Sequence, residues 1–409
     1  MKRVLAIIGF VAIVVLLVVL IWYFFFRPLP PSPIEETPEE PTTGLPIPGE
    51  FVPSERVPGI PPPEEVPTIS EETLPATAEE AQGGPVQTPE ILVGHNISPR
   101  IAPDGTNIVT FDSFEGVFFR VTPDGQAERL TDQVFSGATN VTLSPQSDKA
   151  IVEFLDDTKI VYDFDQNRQI ATLPKHWESF NFSPNGDSIV FKSIADDPEN
   201  SWFAIANADG SDGELIEPMG KKFNQFTPLW SPSDQVVGLF EEGLDGNRKY
   251  LYFIGKNGEN FQRVTVEGRD IRAQWSPLGT QLLYSAYSST SGFRPEVWIV
   301  DGLGDTIGEN RRKLDIQTWA DKCGFADNTT LYCSVPKTIP EGGGLLPVIA
   351  EERSGGEVIY KIDLTTGEKR PIAAPRADVI AQNINISNDQ EYIFFTDKYT
   401  GTLYRIQLQ

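Results

Sequence analysis

The sequence predicts an all-β fold: a β-propeller of seven four-stranded antiparallel blades, preceded by one transmembrane helix and a disordered Pro/Glu-rich stalk. Three observations predict it. An uncharged apolar run fills residues 4–26, half of the 34 prolines fall within 28–92, and beyond residue 92 one turn-forming motif recurs at blade spacing.

The first segment, 1–27, is a short cytoplasmic tip and an anchor. Val4 to Phe26 is 23 residues without a charge, which as a helix spans roughly 34 Å, enough for a hydrocarbon core of about 30 Å. The run ends Trp22-Tyr23-Phe24-Phe25-Phe26-Arg27-Pro28, an aromatic interfacial belt. A cleaved signal would instead show a shorter apolar stretch and small residues at its end. Lys2 and Arg3 precede the run and almost no basic residue follows it closely, so the N-terminus is expected in the cytoplasm and the remainder outside.

The second segment, 28–88, is a linker. Across 28–92 there are 13 Glu, one Arg and 17 Pro, a composition that cannot bury a core. Proline-rich chain prefers polyproline II at about 3.1 Å per residue and like charges extend it, so its reach is up to roughly 200 Å; an unstructured tether of no set length fits the same composition.

The third segment, 89–409, carries the repeat: an apolar or aromatic residue, then Ser-Pro or a relic of it, a turn, then a β-branched and aromatic run. It reads Ile101-Ala102-Pro103-Asp104-Gly105 to Ile108-Val109, Leu143-Ser144-Pro145 to Ile151-Val152, Phe182-Ser183-Pro184-Asn185-Gly186 to Ile189-Val190-Phe191, and Trp230-Ser231-Pro232 to Val236-Val237. Then come Trp275-Ser276-Pro277 to Leu282-Leu283-Tyr284, a degraded Phe325-Ala326-Asp327-Asn328 to Leu331-Tyr332, and Ile386-Ser387-Asn388-Asp389 to Tyr392-Ile393-Phe394-Phe395. The Ser-equivalent positions are 42, 39, 48, 45, 50 and 61 residues apart, close to the period of about 40–45 for four-stranded blades. Proline presets the turn and Asp, Asn or Gly tolerates its tight geometry, so each anchor is read as the hairpin between a blade's first two strands.

A third strand follows each anchor, as at Val117-Phe118-Phe119 and Val297-Trp298-Ile299, and often a second tight turn such as Pro123-Asp124-Gly125 or Ala208-Asp209-Gly210. The last copy stops after its third strand, at Leu403-Tyr404, whereas Ile91-Leu92-Val93 precedes the first anchor where a fourth strand belongs. These two ends are expected to pair and close the ring, which removes free sheet edges. Six blades plus an irregular region is the alternative, because the sixth anchor is degraded.

The Ser-Pro-Asn-Gly-Asp-Ser-Ile-Val-Phe run at 183–191 and the Ala-Pro-Asp-Gly-Thr-Asn-Ile-Val run at 102–109 resemble the WD40-like repeats of the TolB propeller class. The resemblance covers about 93–409 and implies the fold, since such propellers serve many functions. In place of the α/β domain that precedes the TolB propeller, this chain has an anchor and stalk. It also lacks the Trp-Asp dipeptide of WD40 blades.

The net charge of −25 divides as +3 over residues 1–27, −12 over 28–92 and −16 over 93–409. Such a surface repels nucleic acid and anionic headgroups and suits cations or basic protein surfaces; plain solubility accounts for it equally well. The only cysteines, Cys323 and Cys333, could face each other across a hairpin as a disulfide in an oxidising compartment, or be two buried thiols. No metal site or cofactor is expected from them.

In a four-stranded blade the tight turns share one face, and the strand-two-to-three and inter-blade connections share the other. The longer stretches on the second face are 194–201, 241–249, 286–294 and 334–357, the last containing Gly342-Gly343-Gly344. Long loops on a rigid frame are where recognition sits. The binding residues expected there are Asp196, Asp197, Glu199, Glu241, Glu242, Asp245, Tyr287, Phe293 and Arg294, joined by His176, Trp177 and Trp319 from inter-blade loops.

Catalysis has little support in the sequence. There are two histidines, His95 and His176, and no G-x-S-x-G elbow. The acid pairs Asp156-Asp157 and Asp196-Asp197 would need the correct separation across a glycan to act on it. The segment Asn207 to Gly213 has a faint calcium-loop look but coincides with a blade hairpin. The reading is therefore a membrane-anchored extracytoplasmic module, not an enzyme, that binds a protein or an envelope polymer and no nucleic acid. The competing reading is a glycan- or peptide-binding protein, or an envelope hydrolase, acting at the axial funnel.

Overall fold

The computed structural model describes residues 88–408. Among them, 28 strands form seven four-stranded antiparallel sheets, so the six-bladed alternative is excluded. Strand β1 (Glu90–Leu92) stands apart at the start of the chain. Blade 1 is β2 (Asn96–Ile101), β3 (Ile108–Asp112), β4 (Val117–Val121) and β5 (Ala127–Arg129). Blade 2 is β6 (Ala138–Leu143), β7 (Lys149–Phe154), β8 (Lys159–Asp163) and β9 (Arg168–Leu173). Blade 3 is β10 (Trp177–Phe182), β11 (Ser188–Ser193), β12 (Trp202–Asn207) and β13 (Glu214–Pro218).

Blade 4 is β14 (Phe226–Pro228), β15 (Val236–Gly243), β16 (Arg248–Gly255) and β17 (Val264–Glu267). Blade 5 is β18 (Arg269–Trp275), β19 (Gln281–Tyr287), β20 (Pro295–Asp301) and β21 (Arg312–Lys313). Blade 6 is β22 (Cys323–Phe325), β23 (Thr330–Pro336), β24 (Glu357–Asp363) and β25 (Lys369–Ala373). Blade 7 is β26 (Ala381–Ile386), β27 (Tyr392–Asp397) and β28 (Leu403–Gln407), completed by β1 alongside β28. The ring closes as the two incomplete ends require.

The anchors are the hairpins between first and second strands. Ser144, Ser183 and Ser276 donate their backbone N–H to the carbonyls of Lys149, Ser188 and Gln281 at 2.9, 2.8 and 2.9 Å. Each buried hydroxyl then accepts the N–H of that same residue, at 3.1, 3.0 and 3.1 Å. Three residues after the Ser-equivalent position the backbone is left-handed in six blades, at Gly105, Ser147, Gly186, Asp234, Gly279 and Gln390, where glycine is the least strained choice. The sixth anchor is one residue shorter, with Ala326 N–H bonded to the Thr330 carbonyl at 3.0 Å. That missing residue is why its motif reads as degraded.

Second strands are apolar on both faces because each blade is sandwiched between two others. In β7, Ala150 and Val152 pack with blade 1 while Ile151 packs with blade 3. In β27, Ile393 and Phe395 face blade 6 while Phe394 faces blade 1. One such cluster fills every inter-blade seam, and full burial of each Val, Leu, Ile or Phe contributes about 1.5–3 kcal/mol.

Cys323 and Cys333 pair directly across β22 and β23 as a disulfide, with Cα atoms 4.0 Å apart. The Val4–Phe26 span and the stalk lie outside the described residues. Among the described residues no helix is long and apolar enough to cross a membrane.

Candidate functional site

Two surfaces stand out, one on each face. On the loop face the dominant feature is the excursion between β23 and β24, which folds onto the neighbouring connection between β19 and β20. Gly342 N–H donates to the Gly292 carbonyl at 2.8 Å, Gly344 N–H to the Phe293 carbonyl at 2.6 Å, and Arg294 Nε to the Ile339 carbonyl at 2.8 Å. The glycine triplet permits this approach: a Cβ on Gly344 would sit 2.4 Å from the Tyr287 ring, and one on Gly343 2.4 Å from Ile339.

The excursion then forms one short helix, α1 (Pro347–Glu352), opened by proline at its first position. Its inner side is packed: Ala350 meets Ile339 and the buried Trp319. Beneath it lies a buried ion cluster. Lys322 Nζ stands 2.8 Å from Glu357 Oε1, out of line for a hydrogen bond, and 3.6 Å from Glu351 Oε1, while Lys398 Nζ meets Glu351 Oε2 at 2.5 Å. Glu357 Oε2 also accepts from Ser334 Oγ at 2.7 Å and Ala381 N–H at 2.8 Å. Two cations thus balance two anions, and these contacts tie α1 to blades 6 and 7.

Beside the exposed Glu352, the outer side of α1 and of the two residues before it is apolar and bare. Leu345, Leu346, Val348 and Ile349 are 39–58% exposed. Tyr399, itself 44% exposed, lies close by: burial and then the charges of Glu351 and Glu352 push its pKa above the ordinary tyrosine value. Large apolar side chains exposed together on a rigid support mark an interaction surface.

The sequence-predicted residues divide by location. Tyr287, Phe293 and Arg294 are brought together as the seat of the excursion. Trp319 lies beneath it, 1% exposed, so it is a core residue and makes no surface contact. Trp177 is the first residue of β10 and stacks on Phe191 with ring centroids 3.8 Å apart; its neighbour His176 accepts the Ile194 N–H on its backbone carbonyl at 2.9 Å. Trp177 thus packs within blade 3, while the His176 side chain is exposed.

Glu241 and Glu242, expected in a loop, are strand residues, because β15 and β16 run on as a hairpin of two eight-residue strands. Glu241 pairs with Lys249 at 2.6 Å. The Tyr252 hydroxyl and then Lys222 hold the Glu242 carboxyl below its ordinary pKa. Asp245 is held low by the Asn247 backbone N–H and by Arg248. Asp197 caps the turn at Pro198–Asn200 by accepting from Glu199 N–H at 3.2 Å; Asp196 and Glu199 occupy that same turn region, away from the excursion. Asp197, Glu241, Glu242 and Asp245 are thus engaged in local turns and pairs, whereas the carboxylates of Asp196 and Glu199 are exposed.

Sequence reasoning missed Leu345, Leu346, Val348, Ile349 and Tyr399. The Leu-Leu-Pro-Val-Ile run amid glycine and charge was the available signal.

The turn face carries the second surface, an axial funnel of about 820 Å³ walled by anchor residues from all seven blades, including Pro103, Pro145, Pro184, Trp230, Trp275 and Phe325. At its wall a polar ring stitches blades together. Asn181 Oδ1 accepts Trp230 N–H at 2.9 Å, Gln274 Nε2 donates to the Ala320 and Cys323 carbonyls at 2.6 and 3.0 Å, and Asn385 Nδ2 donates to the Pro99 carbonyl at 3.1 Å. Among the described residues no three His, Cys, Asp or Glu side chains converge to hold a metal ion. The Asn207–Gly213 segment is hairpin chemistry: Asn207 Nδ2 bonds Ser211 Oγ and Asp212 Oδ2, both at 2.9 Å.

Fold and surfaces together define a closed seven-bladed β-propeller with a featured loop face and an axial funnel. No protein-family model matches the chain, and no curated protein matches it significantly. Among solved structures it is similar to an oligogalacturonate lyase in complex with manganese, at 16% identity and TM-score 0.57, over 80% of this chain and 94% of that one. The β-propeller domain of Cps50 (Swd1) from Myceliophteria thermophila matches at 11% identity and TM-score 0.53, over 79% of this chain and 100% of the other. Hydrazine synthase of Kuenenia stuttgartiensis matches at 11% and 0.53, over 78% and 97%. Likeness at these identities is likeness of fold.

Proposed function

We propose that this chain is a membrane-tethered interaction module that presents the loop face of its propeller to a partner protein. The observation that carries the reading is the bare apolar side of α1 with Tyr399, held rigid from below by buried ion pairs. Exposed Leu, Val and Ile cost solubility unless covered, and a rigid frame lowers the ordering cost of covering them. The chain's net charge of −25 favours a partner with an apolar centre and a basic rim over anionic lipid or nucleic acid. The apolar run Val4–Phe26 and the Pro/Glu-rich stretch behind it support an anchor and stalk holding the propeller on the extracytoplasmic side. The role proposed is binding, since Glu241, Glu242 and Asp245 on the loop face are engaged in ion pairs and turns.

The test is site-specific photo-crosslinking in the full-length chain in its native membrane. A crosslinker at Leu346 or Ile349 should capture one discrete protein, lost on introducing Tyr399→Asp, while a crosslinker at Leu278, 64% exposed on the turn face, should not. No adduct at either α1 position, or the same adducts at all three, would remove the basis of this reading.

A further inference from the structure

The axial funnel on the turn face holds one charged residue among those that line it, Arg100. Arg100 stands two residues before Ala102, the Ser-equivalent position of the first anchor, which is the ring position that Asn181, Gln274 and Asn385 occupy in their own blades. Each of those three side chains hydrogen-bonds to the neighbouring blade. Arg100 makes no such bond: its side chain is exposed to the solvent of the funnel, and among the described residues it has no carboxylate within 4.0 Å and no hydrogen-bond acceptor. An uncompensated cation so placed, in a domain of net charge −16, is an electrostatic vacancy for one anion.

We propose that the funnel binds a single carboxylate at the end of a polypeptide chain, with Arg100 as its cation. The guanidinium offers a planar fork of donors matched to a carboxylate. The proline, tryptophan and phenylalanine walls suit an apolar segment behind it, and Asn181 Nδ2, unused in the ring, adds a donor nearby. One Arg against an acidic surround favours a monoanion; a polyanionic sugar would bring several charges to one cation and be repelled at the rim. This site lies on the face opposite α1 and does not rest on the loop-face reading.

The experiment uses the immobilised full-length chain and a pool of N-acetylated hexapeptides carrying free C-terminal carboxylates, beside the same pool amidated. Retention of free-acid peptides, weakened about 10- to 100-fold by amidation, is the expected result. Arg100→Ala should abolish the difference between pools, and Arg100→Lys should restore part of it. Because the wild-type comparison needs no variant, a folding defect in Arg100→Ala leaves the test intact. Equal retention of the two pools overturns the proposal. So does tighter, Arg100-dependent binding of trigalacturonate than of any free-acid peptide, which would assign the funnel to acidic sugars.

Discussion

Glu90 and Tyr404, 314 positions apart, face each other across β1 and β28, and the Tyr404 hydroxyl donates to Glu90 Oε1 at 3.2 Å. This pairing turns three C-terminal strands into a full blade. Its neighbours Ile91 and Leu92 pack into the seam formed by Ile108, Val121, Phe394 and Leu403.

Deleting Glu90–Leu92 should therefore leave β28 as an open edge. The expected outcome is a lower Tm with loss of amide-exchange protection concentrated in Leu403–Gln407, while β11 in blade 3 keeps its protection. Unchanged protection of β28 would show that β1 does not close the ring.

Tyr404 and Tyr284 give the fold an alkaline limit. Burial and then the Glu90 charge push Tyr404 up to about 12, and burial pushes Tyr284 up to about 12 against the opposing pull of Arg311. An unfolded tyrosine ionises near about 10, so above that pH the unfolded chain has released protons that the folded chain retains. Stability should be complete below about pH 10 and fall as pH rises through about 12. Tyrosinate absorbance should show Tyr284 and Tyr404 among the late-titrating phenols, and Tyr404→Phe should remove one of these together with part of the stability slope.

Lys322 is expected to be costly to remove. Lys322→Met would leave Glu357 buried with only Ser334 Oγ and the Ala381 N–H, and breaking a buried pair from one side costs about 3–5 kcal/mol. Denaturant unfolding should show that loss, and proteolysis should cut first within 337–356. Combining it with Glu357→Gln should cost less than the two single changes summed, because the stranded charge is gone.

Gln390 holds a left-handed turn with φ of 58°, the position filled by glycine in three other anchors. Gln390→Gly should raise stability by about 0.5–1 kcal/mol, the strain relieved less the added chain entropy. It gives up only an exposed bond from Gln390 Nε2 to Asp327 at 3.2 Å. A lower Tm would mean that this bond outweighs the strain.

Much of the fold was legible because its information is local. A Ser-Pro turn, a left-handed residue three positions after the Ser-equivalent position and a doubly buried strand are written within about a dozen consecutive residues, so each blade announces itself. The closing pair was legible for a related reason: each end showed what it lacked, as at Leu403-Tyr404 and Ile91-Leu92. The candidate sites were less legible because they are made between blades. Whether Trp319 is covered depends on an excursion that begins 18 residues later, and whether Glu241 lies in a loop depends on how far β15 and β16 stay paired.

By itself, then, the sequence determined the repeat and its period, the turns that join the strands, and the apolar runs that must be sandwiched, since turn geometry and side-chain alternation act over short range; seven blades over six was decided by the structure. Only the tertiary structure decided that α1 and the two leucines before it turn apolar side chains outward over a buried ion cluster, and that Arg100 in the funnel has no hydrogen-bond partner from a neighbouring blade. Both outcomes depend on which side chains from distant blades meet, and no local pattern carries that.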